Sequence, residues 1–373
     1  MSENFDAHPA QIALAKIFSS PFLMGPPVSE KSVRLIAHLF TPEEAEVAQF
    51  LPYYYPRPIE RTARKAGRSP EAIKPLLDAM SAKRVILHTE KGGYSLLPLI
   101  PGIFEYSLCN GADTPWHREL ARLINDLFAT GYVRQYNKPG SPTAIRTIPV
   151  LSTVESQRVV VPADLVSELI ERHEQLGVLN VCQCRQAAHF VGRECKRSSP
   201  QDGCLVFGSW AAGLESGGNG RQVSKDQMKA IVQERWDKKL FFWGMNVTPA
   251  NPTAICTCCE CCCHELEAVN YYGGKAGMAE PHFLIEFNEA LCNHCGKCSK
   301  ACNLFAHTMI EKKHHYDQSK CLGCGVCIST CKPGAIQMKE NPAYQPPSAS
   351  YTRLGIKVAA GMTWAGIKSK LTG

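Results

Sequence analysis

Two short segments constrain this chain more than anything else in it. "ALCNHCGKCSKACNLFAHTM" and "SKCLGCGVCISTCKPGAIQM" each set four cysteines at the spacing C-x2-C-x2-C-x3-C. The first run holds Cys292, Cys295, Cys298 and Cys302, the second Cys321, Cys324, Cys327 and Cys331. Three thiolates so closely spaced wrap one face of a cubic iron–sulfur cluster, while the fourth of each run reaches across to the other cluster. The pattern therefore predicts two [4Fe–4S] clusters, one on Cys292, Cys295, Cys298 and Cys331, the other on Cys321, Cys324, Cys327 and Cys302. Zinc also binds C-x2-C pairs, but four tight cysteines repeated in tandem fit iron–sulfur better. One feature departs from the pattern. The proline expected after each fourth cysteine is missing, since Asn303 follows Cys302 and Lys332-Pro333 follows Cys331. That alters a turn and its hydrogen bonds more than the ligation. Gly296, Gly323 and Gly325 give the loops freedom to curl and aim N–H groups at sulfur.

The chain has 19 cysteines, and Cys109 is the only one before Cys182. Besides Cys109 and the eight just named, ten remain in two groups. "VCQCRQAAHFVGRECKRSSPQDGCLVFG" carries Cys182, Cys184, Cys195 and Cys204. "CTCCECCC" carries Cys256, Cys258, Cys259, Cys261, Cys262 and Cys263. Adjacent cysteines are poorly placed to pair with each other, and an odd count in a long chain does not suit a secreted disulfide scaffold. Soft-metal ligation is the better reading, with Arg185, Arg193, Lys196 and Arg197 offsetting thiolate charge. Ten thiols suffice for one or two further iron–sulfur clusters, with alternate members of "CTCCECCC" ligating and the two segments closing on each other. His264 follows directly and is a further ligand type, though an exposed histidine without that role is the expectation.

The organisation expected is α+β and multidomain. Residues 1–100 read as a winged-helix-like domain: a helix after the Thr41 cap, a short helix stopped by Gly67, and a third from Ser69. That third helix has Ile73, Leu76, Leu77 and Met80 on one stripe, and a hairpin around Gly92 and Gly93 follows. Residues 101–180 read as a helical connecting region, with helices in "TPWHRELARLINDLFATG" and "PADLVSELIERHEQLG" around the extended, basic "SPTAIRTIPV". Residues 181–280 form a Cys-rich middle domain with one clear helix, "VSKDQMKAIVQERWDKK", opened by a Ser224/Gln227 capping box. Residues 281–340 form the bacterial 2[4Fe–4S] ferredoxin-like domain. Residues 341–373 are a linker and an amphipathic helix, with Ile356, Ala360, Trp364, Ile367 and Leu371 on one side and Arg353, Lys357, Lys368 and Lys370 supplying charge.

The chain resembles a group of prokaryotic 4Fe–4S ferredoxin-type proteins, mainly from anaerobes. The likeness is carried by "GGYSLLPLIPGIFEYSL", "RTIPV", "VCQCRQAAHFVGRECKR" with "DGCLVFG", "NPTAICTCCECCC" and the two ferredoxin runs, so it extends over residues 30–340. The group's middle run usually reads C-N-C-C-x-C-C-C, and Thr257 here stands in place of Asn. The resemblance implies an N-terminal winged-helix-like region, a Cys-rich middle and a dicluster end. It implies electron transfer and names no substrate.

Three functional classes follow. The first is an electron-transfer protein or subunit of an anaerobic oxidoreductase complex, with a redox protein or that complex as partner. The second is a redox-sensing regulator that binds DNA through the winged helix, coloured by Arg57, Arg61, Arg64, Lys65, Arg68 and Lys74. Against nucleic acid stand a net charge of only +7 and the alternating charges of "SPEAIKPLLDAMSAKR". The third is a reductase working at the unusual middle cluster, for which no nucleotide motif or catalytic residue can be named. The N-terminus has no basic leader, and no run is apolar enough to span a bilayer, so a cytoplasmic protein is expected. The C-terminal helix would dock on a partner or a membrane surface, leaving the protein peripheral to the membrane through a complex.

Overall fold

The computed structural model describes residues 6–20, 23, 25–89, 92–137, 143–150, 166–358 and 360–361. It divides into two compact units: residues 1–132 with 186–193, and residues 133–185 with 194–373.

The first unit is mainly helical. It contains α1 (Pro9–Phe18), α2 (Glu30–Leu39), α3 (Pro42–Ala48), α4 (Ile59–Ala66), α5 (Pro70–Ala82), α6 (Phe104–Leu108) and α7 (Pro115–Phe128). Local chemistry sets the starts. Ser29, Thr41, Ser69 and Thr114 each accept a backbone N–H from the third residue on, and Pro42, Pro70 and Pro115 occupy first-turn positions that need no donor. At the end of α4, Gly67 has φ +65°, and its N–H and that of Arg68 close back on Arg64 and Ala63. Short strands β1 (Arg57–Pro58), β2 (Leu87–His88) and β3 (Gly93–Ser95) make an antiparallel sheet in the order β1-β3-β2. Ile73, Leu77 and Met80 bury one face of α5, whereas Leu76, placed on that stripe by sequence, is only half-buried.

The second unit is built on a six-stranded antiparallel sheet that the reading of residues 181–280 did not contain. Its strands are β4 (Ile145–Thr147), β5 (Leu176–Leu179), β6 (Leu205–Phe207), β7 (Gly220–Gln222), β8 (Phe241–Met245) and β9 (Thr253–Cys258). They run in the order β4-β8-β9-β6-β5-β7. Helix α8 (Val166–Arg172) ends before Leu176, so the sequence assigned to one helix through Gly177 instead turns into β5. Helix α9 (Gln183–Phe190), whose residues from Gln186 on belong to the first unit, is followed by α10 (Ser209–Ala212), α11 (Lys225–Asp237) and α12 (His264–Tyr271). The expected capping box opens α11: Ser224 accepts from Gln227 N–H, and the Gln227 side chain accepts from Ser224 N–H.

Beyond α12 the chain forms β10 (Phe283–Phe287), α13 (Lys297–Ala301), β11 (His307–Ile310), β12 (Lys313–Tyr316) and β13 (Ile336–Glu340). β10 pairs antiparallel with β13 and β11 with β12, so one ribbon brackets the two cysteine runs and the other, a hairpin, lies between them. Residues 351–358 are helical, with Leu354 buried. Ile356, placed on the apolar side by sequence, is 64 % exposed, and Trp364, Ile367, Lys368, Lys370 and Leu371 lie outside the described residues. Among the described residues no helix is long and apolar enough to cross a membrane.

Candidate metal centres

The eight ferredoxin-spaced cysteines sit on loops held by the β10–β13 and β11–β12 ribbons. Cys298, Cys321 and Cys327 are buried with Phe283, Ile285, Ala306, Ile336 and Met338, and Cys302 and Cys331 pack against them. Cys292, Cys295, Cys298 and Cys331 line one cavity that is partly open to solvent and walled by Phe287, His314 and Ile336. Around Cys327 the neighbouring thiols are Cys324, Cys321, Cys302 and Cys298. Burial pushes Cys298 up to about 11 and raises Cys324 and Cys327, because a thiolate has no business in an apolar shell unless a cation neutralises it. Backbone N–H groups already point at sulfur: His294 to Cys292 at 3.4 Å and Gly323 to Cys321 at 3.3 Å. Gly323 has φ +62°, and a Cβ there would run into the Phe283 carbonyl oxygen. An all-thiol donor set with loop glycines and N–H···S bonds fits a pair of iron–sulfur cubes.

The middle cysteines come together from three places. Cys182 and Cys184 flank and open α9, Cys195 and Cys204 lie on the irregular segment before β6, and Cys256 and Cys258 share a face of β9. Cys259, Cys261, Cys262 and Cys263 form the turn into α12, where the Cys263 sulfur caps the helix by accepting from Leu266 N–H at 3.5 Å.

The ten then separate into two groups. In the first, Cys195 Sγ lies 3.3 Å from Cys259 Sγ and 3.8 Å from Cys261 Sγ, and Cys261 lies 3.6 Å from both Cys259 and Cys262. All four sulfurs fall within 4.8 Å of one another. Hydrogen bonds from Cys259, Cys261 and Cys262 hold the Cys195 thiol well below its ordinary range. The second group is a chain of neighbours, Cys182 to Cys184, Cys184 to Cys263, Cys263 to Cys258 and Cys258 to Cys256. Cys204 completes it, 3.5 Å from Cys256. The Trp243 indole N–H donates to Cys258 Sγ at 3.0 Å from the adjacent strand. Adjacent cysteines thus part company: Cys258 and Cys263 go to the second group, Cys259 and Cys262 to the first. The expected strict alternation does not describe this, since Cys261 and Cys262 stay together.

Charge around these thiols is unusual. Arg185 is 2 % exposed and donates to the Asp202 and Thr257 carbonyls. Burial works against its charge, but the thiols of Cys182, Cys259 and Cys258 outweigh that and raise its pKa. Arg235 is also buried, 2.7 Å from Asp202, and desolvation pushes it down to about 10. Of the other basic residues singled out by sequence, Lys196 gives its backbone N–H to Cys261 at 3.4 Å, and Arg197 pairs with Glu260 at 2.7 Å. Arg193 bonds Asn125 instead of a thiol. His264, expected to be exposed, is 1 % exposed, with Nδ1 3.5 Å from Glu267. Sequence reasoning missed Trp243, whose position opposite Cys256 depends on the β8–β9 register.

The geometry can be set beside known proteins. A family model described as a 4Fe–4S dicluster domain matches residues 284–332. A curated protein, the archaeal glutamate synthase [NADPH] of Archaeoglobus fulgidus, is 32 % identical over 75 residues, covering 20 % of this chain and 15 % of that protein. The chain therefore spans well under a fifth of the length of that relative. No solved structure matches. Residues 284–332 are a 4Fe–4S dicluster domain, preceded by a Cys-rich region, and together these cysteines imply iron–sulfur clusters.

Proposed function

We propose that this chain is an iron–sulfur electron-transfer protein, or the electron-transfer subunit of an oxidoreductase complex. Cys292, Cys295, Cys298 and Cys331 would hold one [4Fe–4S] cube, and Cys302, Cys321, Cys324 and Cys327 the other. A further cluster belongs in the pocket of Cys182, Cys184, Cys204, Cys256, Cys258 and Cys263. Such clusters, when bound, supply one-electron storage at potentials set by their surroundings.

The observation that carries this reading is a shared apolar core. Cys258 and Cys263 are buried in one cluster with Phe241, Leu266, Met278, Leu304 and Leu322, against which Cys256, Cys302 and Cys324 also pack. Ligands assigned to the second cube and thiols of the middle pocket thus adjoin one water-poor interior, the arrangement an electron relay requires. The chain's own residues do the tuning: N–H donors from Gly323 and Trp243 and the buried Arg185 favour the more negative, reduced state.

For the N-terminal unit, the order α3, β1, α4, α5, β2, β3 with a β1-β3-β2 sheet supports the winged-helix reading. Its third helix, α5, pairs Lys74 with Asp78 at 2.5 Å and carries Glu71 in its first turn, which favours protein docking over DNA. The name of the Archaeoglobus relative supports an oxidoreductase setting.

The test is anaerobic iron and acid-labile sulfide analysis with EPR of the reduced protein. Two interacting [4Fe–4S] signals and iron above the roughly eight atoms of two cubes are expected. Zinc at the ferredoxin cysteines, in protein made with ample iron, would sink the reading, and nanomolar binding to one operator would move it to the regulator.

A further inference from the structure

The structure assigns Cys195, Cys259, Cys261 and Cys262 to a single tetrahedral zinc ion, a centre separate from the iron–sulfur sites. The argument begins with distance. Zinc–thiolate bonds of about 2.3 Å at tetrahedral angles put the four sulfurs about 3.8 Å apart. The sulfurs of this group stand 3.3, 3.6, 3.6 and 3.8 Å apart along four of its six edges, and all within 4.8 Å. A cube needs something different. Its four thiolates cap four different irons at the corners of a body several atoms wide, and their sulfurs are held apart by that body. The ferredoxin cysteines show the contrast within this chain: Cys292, Cys295, Cys298 and Cys331 line one open cavity, and among the described residues their sulfurs do not gather within 4.8 Å of one another as those of the first group do. The four-thiol group encloses room for one ion.

Three further observations suit zinc. Tetrahedral S4 donor sets belong to zinc or iron–sulfur chemistry, and the compactness removes the multi-iron form. Structural zinc sites are closed and four-coordinate, and here all four positions are filled by cysteine. The doubly negative centre would have the buried Arg185 guanidinium close by and the Lys196 N–H bonded at Cys261 to offset it. The ion would also have a mechanical task. Residues 193–204 contain no helix or strand, and Cys195 is tied to the turn after β9 through this site.

The inference does not depend on the electron-transfer reading, because zinc and iron are counted separately. Full-length protein, produced anaerobically with both metals supplied, should contain about one zinc per chain. Zinc-edge X-ray absorption should show four sulfurs at about 2.3 Å. Cys195→Ala and Cys261→Ala should each lose at least 80 % of the zinc and leave iron and the ferredoxin EPR signals unchanged. Should those variants aggregate, wild-type protein stripped of zinc by chelator and reloaded with Co²⁺ should give the intense visible spectrum of a tetrahedral tetrathiolate. A loss of about four irons from Cys195→Ala would overturn the proposal in favour of a cube. A loss of one iron with no zinc present would overturn it in favour of a mononuclear iron centre. Nitrogen or oxygen ligands at the zinc edge, or less than a fifth of an equivalent of zinc, would overturn it outright.

Discussion

The dicluster end and the middle region are both rich in thiols but spend them differently. At the dicluster end, regular spacing on glycine-hinged loops spreads four sulfurs around a cavity. In the middle, irregular spacing draws four sulfurs into mutual contact and lines up six others behind them. The lesson is that cysteine density announces a metal, whereas the volume the cysteines enclose tells which kind. Spacing alone reveals that volume only where a local loop sets it.

The most disruptive way to test this contrast is to delete a ligand from each region. Cys298→Ala should remove one cube, a loss of about four irons, with zinc unaffected, which metal analysis and EPR would read together. If both metals fall, the regions fold as one cooperative site and the contrast fails.

A smaller effect should follow from Gly323→Ala. Its φ of +62° and the collision of a new Cβ with the Phe283 carbonyl should cost about 3 kcal/mol and empty the cube on Cys321, Cys324 and Cys327. Gly67→Ala has a similar φ of +65° with nothing within 4 Å. It should cost only about 1 kcal/mol, with cluster content unchanged, as thermal denaturation under anaerobic conditions would show.

Arg185→Met sharpens the comparison electrostatically. Removing a buried guanidinium beside Cys182, Cys258 and Cys259 should shift the middle cluster's midpoint potential negative by on the order of 50 mV, about 1 kcal/mol for one electron. The two ferredoxin potentials should move far less. Equal shifts at all three would mean that Arg185 acts through the fold and not through nearby charge.

The smallest effect belongs to the helical unit. Burial holds His38 below its ordinary pKa, and its ring bonds the Trp116 carbonyl at 2.9 Å. As pH falls through about 6.5, the unfolded chain takes up a proton that the folded one resists. Stability from this histidine is therefore present above that pH and lost below it. His38→Gln should flatten the change in Tm between pH 7.5 and 6, with metal content constant. A wild-type Tm that does not fall over this range would contradict the assignment.

Much of this was legible where chemistry is local. Thr41, Ser69 and the Ser224/Gln227 pair announced helix starts, Gly67 announced a stop, and the doubled ferredoxin spacing announced its own cofactor. The six-stranded sheet was not legible. Strands of three residues such as Leu205–Phe207 carry no readable alternation, and their identity depends on partners far along the chain. The partition of the middle thiols hid for the same reason, because it is the β8–β9 register and the turn after Cys258 that decide which way each sulfur faces. Cys256 and Cys258, two apart on a strand, were the exception that period-two reasoning could have caught.

One consequence concerns the order of assembly. Cys258 and Cys259 are joined by a single peptide, as are Cys262 and Cys263, yet each pair splits between the two thiol groups. Consecutive Cα atoms are 3.8 Å apart, so an ion that fixes Cys259 and Cys262 also fixes their neighbours to within a rotamer. The conformational entropy lost on filling the first group need not be lost again on filling the second. Filling the first group therefore eases filling the second without being required for it. A single-residue insertion within "CTCCECCC" would break both centres at once, whereas loss of Cys195, which lies outside that run, leaves the ligands of the second group in place.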